Sequence, residues 1–201
     1  MNEPETGEAP ETARSCSDSQ KELAEVLRQR AAISAVLRAI ANSPHDLQPI
    51  FDTIIDSAVH LCRADGGSIR IVEEAGFRLA GYKPYPAASE MYPPPILEHG
   101  SLIGRLFESK SPVQIPDLAT DKEFYSAEVQ ELRSKLGIRT LLNVPMLRND
   151  ELIGTLSIGR QRIEPFTEKE IELVTDFAAE AAIALEITRR ERCSFASCRY
   201  K

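Results

Sequence analysis

The stretch Gly137-Ile-Arg-Thr-Leu-Leu-Asn-Val-Pro-Met-Leu-Arg-Asn-Asp-Glu-Leu-Ile-Gly-Thr-Leu-Ser-Ile-Gly159 decides the fold. Two apolar runs, 138–147 and 152–158, flank Arg148-Asn149-Asp150-Glu151. Asn149 and Asp150 tolerate positive φ, so the sequence predicts a tight hairpin turn between two strands. Neither run alternates polar with apolar. Leu141, Leu142, Val144, Met146 and Leu147 point to both sides of a strand, so both faces of this hairpin are expected to be covered. It reads as the centre of a sheet with a layer packed on each side.

Downstream, Thr167-Glu168-Lys169-Glu170 has the form of a capping box, with Phe166 and Ile171 placed as a hydrophobic staple. The helix it opens is predicted to run to about residue 190. Ile171, Val174, Ala178, Ala181 and Leu185 recur at helical spacing, and Leu173, Phe177, Ala182 and Ala184 widen the stripe. One side can pack on the sheet while the alanine-rich side meets a partner helix. Residues 191–201 read as a short polar tail.

Upstream, Tyr125, Val129, Leu132 and Leu136 place a helix over 123–136, closed by Gly137 as a left-handed cap. Pro112-Val-Gln-Ile-Pro116 reads as a short edge strand bracketed by prolines. Gly100-Ser101 opens a short helix over 102–109, with Leu102, Ile103, Leu106 and Phe107 expected inward. The segment 83–99 holds Pro84, Pro86, Pro93, Pro94 and Pro95 beside Tyr85, Met91 and Tyr92, a density that excludes a central strand. A long loop of this kind inside a compact domain usually carries function. Before it, 68–72 and 77–82 form a hairpin in which Ile69 and Ile71 face one way and Ser68 and Arg70 the other. Asp46 is expected to cap a helix over 47–63, whose apolar face is Ile50, Ile54, Ile55, Ala58, Val59 and Cys62, with His60 in solvent.

Leu23, Val26, Arg30, Ile33, Leu37 and Ile40 repeat at alternating spacings of three and four, the pattern of a dimeric helical seam over 20–42. Residues 1–19 read as a disordered acidic tail, because Glu3, Glu5, Glu8, Glu11 and Asp18 oppose only Arg14 and almost nothing is available to bury. The domain proper is then 43–190.

With 201 residues the chain accommodates one domain plus helical extensions. A net charge of −7 without a Lys/Arg cluster disfavours nucleic acid as a partner. No apolar run approaches the ~20 residues a membrane span requires. The acidic N-terminus does not resemble a secretory signal. Cys16, Cys62, Cys193 and Cys198 are scattered and form no disulfide framework, so a reducing cytoplasm is the simplest setting.

The order of elements, with Gly100-Ser-Leu-Ile-Gly-Arg-Leu106, Ser111-Pro-Val-Gln-Ile-Pro-Asp117, the central hairpin and Pro165-Phe-Thr-Glu-Lys-Glu-Ile-Glu-Leu173, resembles the GAF domain, a small-molecule sensing module of bacterial signalling proteins. The resemblance covers about residues 43–188, and 34–63 is similar to the helix that precedes such domains in sensor histidine kinases and nucleotide cyclases. It implies an α+β fold, related to the PAS architecture. In it a six-stranded antiparallel sheet carries a terminal helical bundle on one face and a loop-and-helix pocket on the other. It also implies a homodimer, formed through the terminal helices, that relays a signal to an output kinase or cyclase domain in a longer parent or a partner. No such output domain lies within the 201 residues, so the chain reads as a cut-out or stand-alone sensor.

A non-enzymatic ligand sensor is the leading expectation, in a two-component or related signalling setting. Its pocket would be lined by Arg70, Tyr82, Tyr92, His99, Leu102, Ile103, Asp117, Thr140 and Asn143. Thr140 and Asn143 are polar residues on buried strands and need partners, either a ligand or a loop backbone. Asn143 is the strongest single candidate. The ligand, and with it any cofactor, stays unidentified. Cyclic-nucleotide relatives carry Asn-Lys where Arg160-Gln161 stands here, and Asp-Glu where Glu170-Ile171 stands, which argues against that ligand by that route. There is no Cys-His dipeptide for a bilin, and His99 is the one candidate axial ligand for haem. The alternatives are a dimerisation and relay module with an empty pocket, and an enzyme like the free methionine sulfoxide reductases. The enzyme needs a reachable thiolate, which neither Cys62 on its helix nor the cysteines in the tails supply. No metal-binding spacing is present, since Cys193 and Cys198 lack a second pair.

Overall fold

A computed structural model of the chain describes residues 46–73, 76–86, 102–120 and 134–198 together with Ser34, and for 102, 103 and 189–198 it describes the backbone alone. The elements are α1 (Gln48–Leu61), β1 (Gly66–Glu73), β2 (Gly76–Lys83), α2 (Leu102–Ser109), β3 (Val113–Ile115), β4 (Thr140–Arg148), β5 (Glu151–Arg160) and α3 (Glu168–Cys198). The strands form one antiparallel sheet in the order β2-β1-β5-β4-β3.

The 137–159 stretch forms the hairpin β4–β5, with Asn149 at φ 47° and Asp150 at φ 66° in the two-residue turn. Two consecutive left-handed residues match the right-handed twist of the strands they join. β4 and β5 lie inside the sheet and are buried along nearly all their length. β3 is an edge strand, and the proline at each end of it is compatible with that place. The described sheet has five strands rather than the six expected.

The helical layer covers one face. Ile50, Phe51, Ile54 and Ile55 of α1 and Val174, Phe177, Ala178, Ala181 and Leu185 of α3 form one core with Ile69, Ile71, Leu142, Val144, Leu156 and Ile158 of the sheet. Each such side chain contributes roughly 1.5–3 kcal/mol when fully buried. The alanines of α3 that were candidates for helix contact are in large part turned to this layer, since Ala178 and Ala181 are fully buried.

The caps show how local chemistry sets these helices. Thr167 N donates to Glu170 Oε2 (2.8 Å), and Glu170 N donates to Thr167 Oγ1 (3.3 Å), so the capping box is formed. Phe166 is buried and Ile171 packs against the same core. α3 continues beyond residue 190 to Cys198, into the stretch read as a tail. Gly137 adopts φ 66°, as the left-handed cap requires, whereas most of the helix expected over 123–136 lies outside the described residues. α1 begins one residue later and ends two earlier than expected. Its cap position is Leu47, in a right-handed helical conformation without a side-chain bond. Asp46 still serves the first turn from one position further out, accepting from Gln48 N at 3.0 Å.

Phe107 does not point inward. It is 47% exposed, because Leu106 takes the buried position of the short α2. Phe107 instead meets Phe77 edge to face, with ring centroids 6.1 Å apart. Cys62 is fully buried and His60 is exposed, as read. The seam over 20–42 lies outside the described residues apart from Ser34, which is helical. No helix among the described residues is long and apolar enough to cross a membrane.

The outward side of α3 exposes Ile183 (56%) and Ile187 (37%), with Glu180 half-buried nearby. Burial and the Asp176 charge one turn away push the Glu180 carboxyl up to about 7, and its Oε2 has no hydrogen-bond partner among the described residues. The folded state therefore favours the protonated acid, and this group's contribution to stability falls as pH rises from about 4.5 to about 7. Glu180→Gln removes the penalty. The variant is expected to match the wild type at pH 4.5 and to exceed it at pH 8 by about 1 kcal/mol, solvent screening of a half-exposed group being allowed for. Urea denaturation at the two pH values checks this; an equal difference at both would sink it.

Candidate functional site

Residues directly paired across antiparallel strands share a face. On the face away from α1 and α3, one cross-strand row reads Tyr82, Ser68, Ser157, Asn143 and Val113, from β2 to β3. A second row is Leu79, Arg70, Thr155 and Pro145. A third is Gly66, Gly159, Leu141 and Ile115. The central positions of the first two rows are polar, although Ser68, Asn143, Thr155 and Ser157 are each less than a tenth exposed. The opposite face at the same height is entirely aliphatic. Small hydroxyls and an amide thus floor a buried surface that hydrophobic burial alone would have made apolar.

The hydrogen bonds along the row have a direction. Arg70 Nη1 donates to Ser68 Oγ (2.9 Å). Ser157 Oγ donates to Asn143 Oδ1. That leaves Asn143 Nδ2 buried with no partner among the described residues, a state that costs roughly 1–3 kcal/mol if nothing else binds there.

The third row is closed by a small apolar cluster of Tyr85, Ile115, Leu118, Leu136, Ile138 and Leu141. Gly66 and Gly159 let Tyr85 lie directly on the backbone: a Cβ at Gly66 would stand 2.8 Å from its ring, and one at Gly159 2.7 Å from its hydroxyl. Tyr85 belongs to the proline-rich segment and anchors its start to the sheet.

Of the residues expected to line a pocket, Arg70, Tyr82 and Asn143 come together on this face. Asp117 lies past the apolar cluster and is held by Arg139 in a two-pronged ion pair of 3.0 and 2.9 Å. That bond keeps its carboxyl below the usual range. Thr140 belongs to the other face. Its hydroxyl approaches Pro116 O (2.7 Å) and Arg162 O (3.0 Å) and accepts from Glu164 N (3.0 Å), which pins two loops. Leu102 and Ile103 lie in α2, but their side chains, like Tyr92 and His99 entirely, are outside the description.

Ser68, Thr155 and Ser157 were not singled out from the sequence. Their signal was present in the off-face alternation of Ser68 with Arg70 and of Thr155 with Ser157. Arg160 was also missed as a structural centre. It is 1% exposed, and its guanidinium donates to Cys62 O (2.6 Å), Glu164 O (2.8 Å) and Glu170 Oε1 (2.6 Å) and stacks 4.1 Å over Phe166.

A cavity of about 560 Å³ lies elsewhere, at the C-terminus of α1, among His60, Arg63, Lys83 and Arg162. Arg162 is bonded to Asp65 and Glu164, and Lys83 to Asp56. The helix carbonyl end adds negative potential. Arg162 and Lys83 are thus already paired, whereas the polar sheet face holds a buried donor with no partner among the described residues, so the face is the better site. No group of His, Cys, Asp and Glu that could hold a metal exists among the described residues.

The family model described as "GAF domain" matches residues 46–185. The structure is similar to the GAF domain of a phosphoenolpyruvate-protein phosphotransferase from Coxiella burnetii, at 18% identity and TM-score 0.68, over 84% of this chain and 96% of that one. It is similar to a GAF domain/HD domain protein from Geobacter sulfurreducens, at 16% identity and TM-score 0.62, over 73% and 96%. It is also similar to the free methionine-R-sulfoxide reductase of Neisseria meningitidis, at 13% identity and TM-score 0.64, over 81% and 91%. No curated protein matches the sequence.

Proposed function

The chain belongs to the GAF family, and from that premise we propose that it is a sensory and regulatory domain of bacterial signal transduction, without catalytic activity of its own. It holds a small ligand on the polar face of the sheet and relays the bound state through dimeric terminal helices to an output domain, such as a kinase or cyclase. The observation that supports this reading is the buried polar row ending in the unpartnered Asn143 Nδ2. An acceptor brought by a ligand would remove the desolvation penalty of that buried amide donor.

A route to the helices exists. β5 carries Ser157 on the site face and Arg160 on the other, three residues on, and Arg160 grips the first turn of α3 through Glu170. The exposed Ile183 and Ile187 give α3 an apolar outer surface for a second copy. The same two isoleucines favour the second reading, a dimeric relay module whose face stays empty. A reductase needs a thiolate on the site face. Cys62 lies in the helical core on the opposite side, with Sγ 3.9 Å from Glu170 O.

Native mass spectrometry of the protein purified from cells, with an absorbance spectrum of the same sample, tests the proposal. The expected result is a dimer carrying one reproducible extra mass per chain. A dimer of clean apo mass that captures no metabolite from a cell extract would transfer the case to the relay module, and a monomer at high concentration would remove the dimeric relay.

A further inference from the structure

Resting on the reading of the polar face as a ligand site, we infer that Ser157 fixes the orientation of the Asn143 amide, so that the site takes a carbonyl oxygen borne on an apolar part of the ligand and rejects groups that can only donate. An asparagine amide has the same outline whichever way it faces. Only its hydrogen-bond partners decide which side carries the nitrogen. Ser157 stands directly across from Asn143 on the neighbouring strand, and its hydroxyl donates to Asn143 Oδ1. Asn143 is 5% exposed and Ser157 7%, so the pair is set inside the protein rather than by bulk water.

The bonds in the row run in one sense. At the other end the Arg70 guanidinium, which can only donate, gives a hydrogen to Ser68 Oγ. Ser157 passes its own hydrogen on in the same direction, to Asn143. The amide carbonyl is thereby used up, and Nδ2 is left buried without a partner among the described residues. Ser157 is a positioning residue, and Asn143 is the group that meets the ligand.

The surroundings narrow the class. On this face Asn143 lies between Leu141 and Pro145 along β4, and Val113 and Ile115 flank it on the edge strand β3. None of these four side chains carries a hydrogen-bonding group, and Leu141 and Ile115 belong to the apolar cluster with Tyr85. The amide nitrogen is thus a single polar point in an apolar rim. A carbonyl oxygen on a hydrocarbon frame, as in a ketone or a lactam, satisfies it while the frame meets the rim. An ammonium placed there sets donor against donor and leaves both unpaired.

The test uses the full chain labelled with nitrogen-15 and two probes of one shape. Cyclopentanone carries only an acceptor, and cyclopentylamine at neutral pH carries only donors. The side-chain amide signals of Asn143, identified by their loss in Asn143→Asp, report the place of binding, and the backbone amide signals of β4 report affinity in every variant. The expected result is a saturable shift of the Asn143 side-chain signals by cyclopentanone, with cyclopentylamine weaker by roughly tenfold. Ser157→Ala frees the amide to turn over, so the preference should narrow to under about threefold. Asn143→Asp puts a carboxylate where the amide stood, and the preference should reverse. Both variants should keep the wild-type circular dichroism spectrum; if Asn143→Asp does not fold, Ser157→Ala decides.

Equal binding of the two probes by the wild type, or a preference that the variants leave unchanged, overturns the orientation of the amide as the selecting device while the ligand site stands. If neither probe shifts the Asn143 side-chain signals, the carbonyl assignment fails. The ligand-site reading falls with it if the purified protein also carries no extra mass and captures no metabolite from extract.

Discussion

Arg160→Ala is expected to lower the unfolding free energy by about 3–5 kcal/mol, the range for removing one member of a buried charged network. Arg160 is 1% exposed at the end of β5 and reaches four parts of the chain at once. Its Nη2 bonds Cys62 O just after α1 and Glu170 Oε1 in the first turn of α3, both at 2.6 Å. Its Nη1 bonds Glu164 O at 2.8 Å and Pro165 O at 3.2 Å, and the guanidinium lies over Phe166. Alanine leaves three carbonyls and one carboxylate oxygen without a donor in a poorly hydrated place. Glu170 is also the reciprocal member of the capping box, so its misplacement loosens the start of α3. In a domain of this size the loss corresponds to a fall in Tm of roughly 10 °C. Urea denaturation monitored by circular dichroism measures it, and a loss under about 1 kcal/mol would contradict the network's importance. A cycle with Glu170→Gln separates the direct pair from the rest. The double variant should lose less than the sum of the two singles, because each single already breaks the shared bond.

Phe177→Ala is expected to cost about 3–5 kcal/mol by a different mechanism, the loss of transfer energy plus an unfilled cavity. Phe177 is fully buried at the middle of the helical layer, among Val174, Ala178 and Ala181 of its own helix and the aliphatic face of β4 and β5. Its neighbours on α3 are small and cannot fill the space. Phe177→Leu, which keeps most of the volume, should lose far less, under about 1.5 kcal/mol. The pair of variants makes the cavity term visible: similar losses for both would mean that the site collapses around the alanine. Neither substitution touches the polar face, so ligand binding in folded protein should persist.

These two residues illustrate what could be read before the structure was known. Phe177 was legible. It falls on the apolar stripe of α3, and a stripe at helical spacing downstream of a capping box has one physical outcome, a helix packed by that stripe. The central hairpin was legible for the same kind of reason. Asn149-Asp150 can adopt consecutive left-handed conformations, and apolar side chains at adjacent positions of a strand demand cover on both faces. Turn chemistry, caps and periodicity are local properties, and the sequence by itself determined them. It also placed Ser68 and Arg70 on one side of β1, opposite Ile69 and Ile71.

Tertiary structure alone decided the rest. Strand order and register bring Ser68, Ser157 and Asn143, which are distant along the chain, into one row, and no periodicity within one strand encodes that alignment. Thr140 and Asn143 looked equivalent as polar residues on one buried strand. Their odd separation in sequence puts them on opposite faces, and pairing with neighbouring segments turned one into a loop pin and the other into the open end of the polar row. Phe107 fell outside the core because a short helix buries few positions and Leu106 took the central one. Arg160 carried no local signal at all. Its role depends on the end of α1, the loop after β5 and the start of α3 meeting at one point, and that convergence exists only when the chain is folded, because each partner bonds a backbone or side-chain atom of a different element.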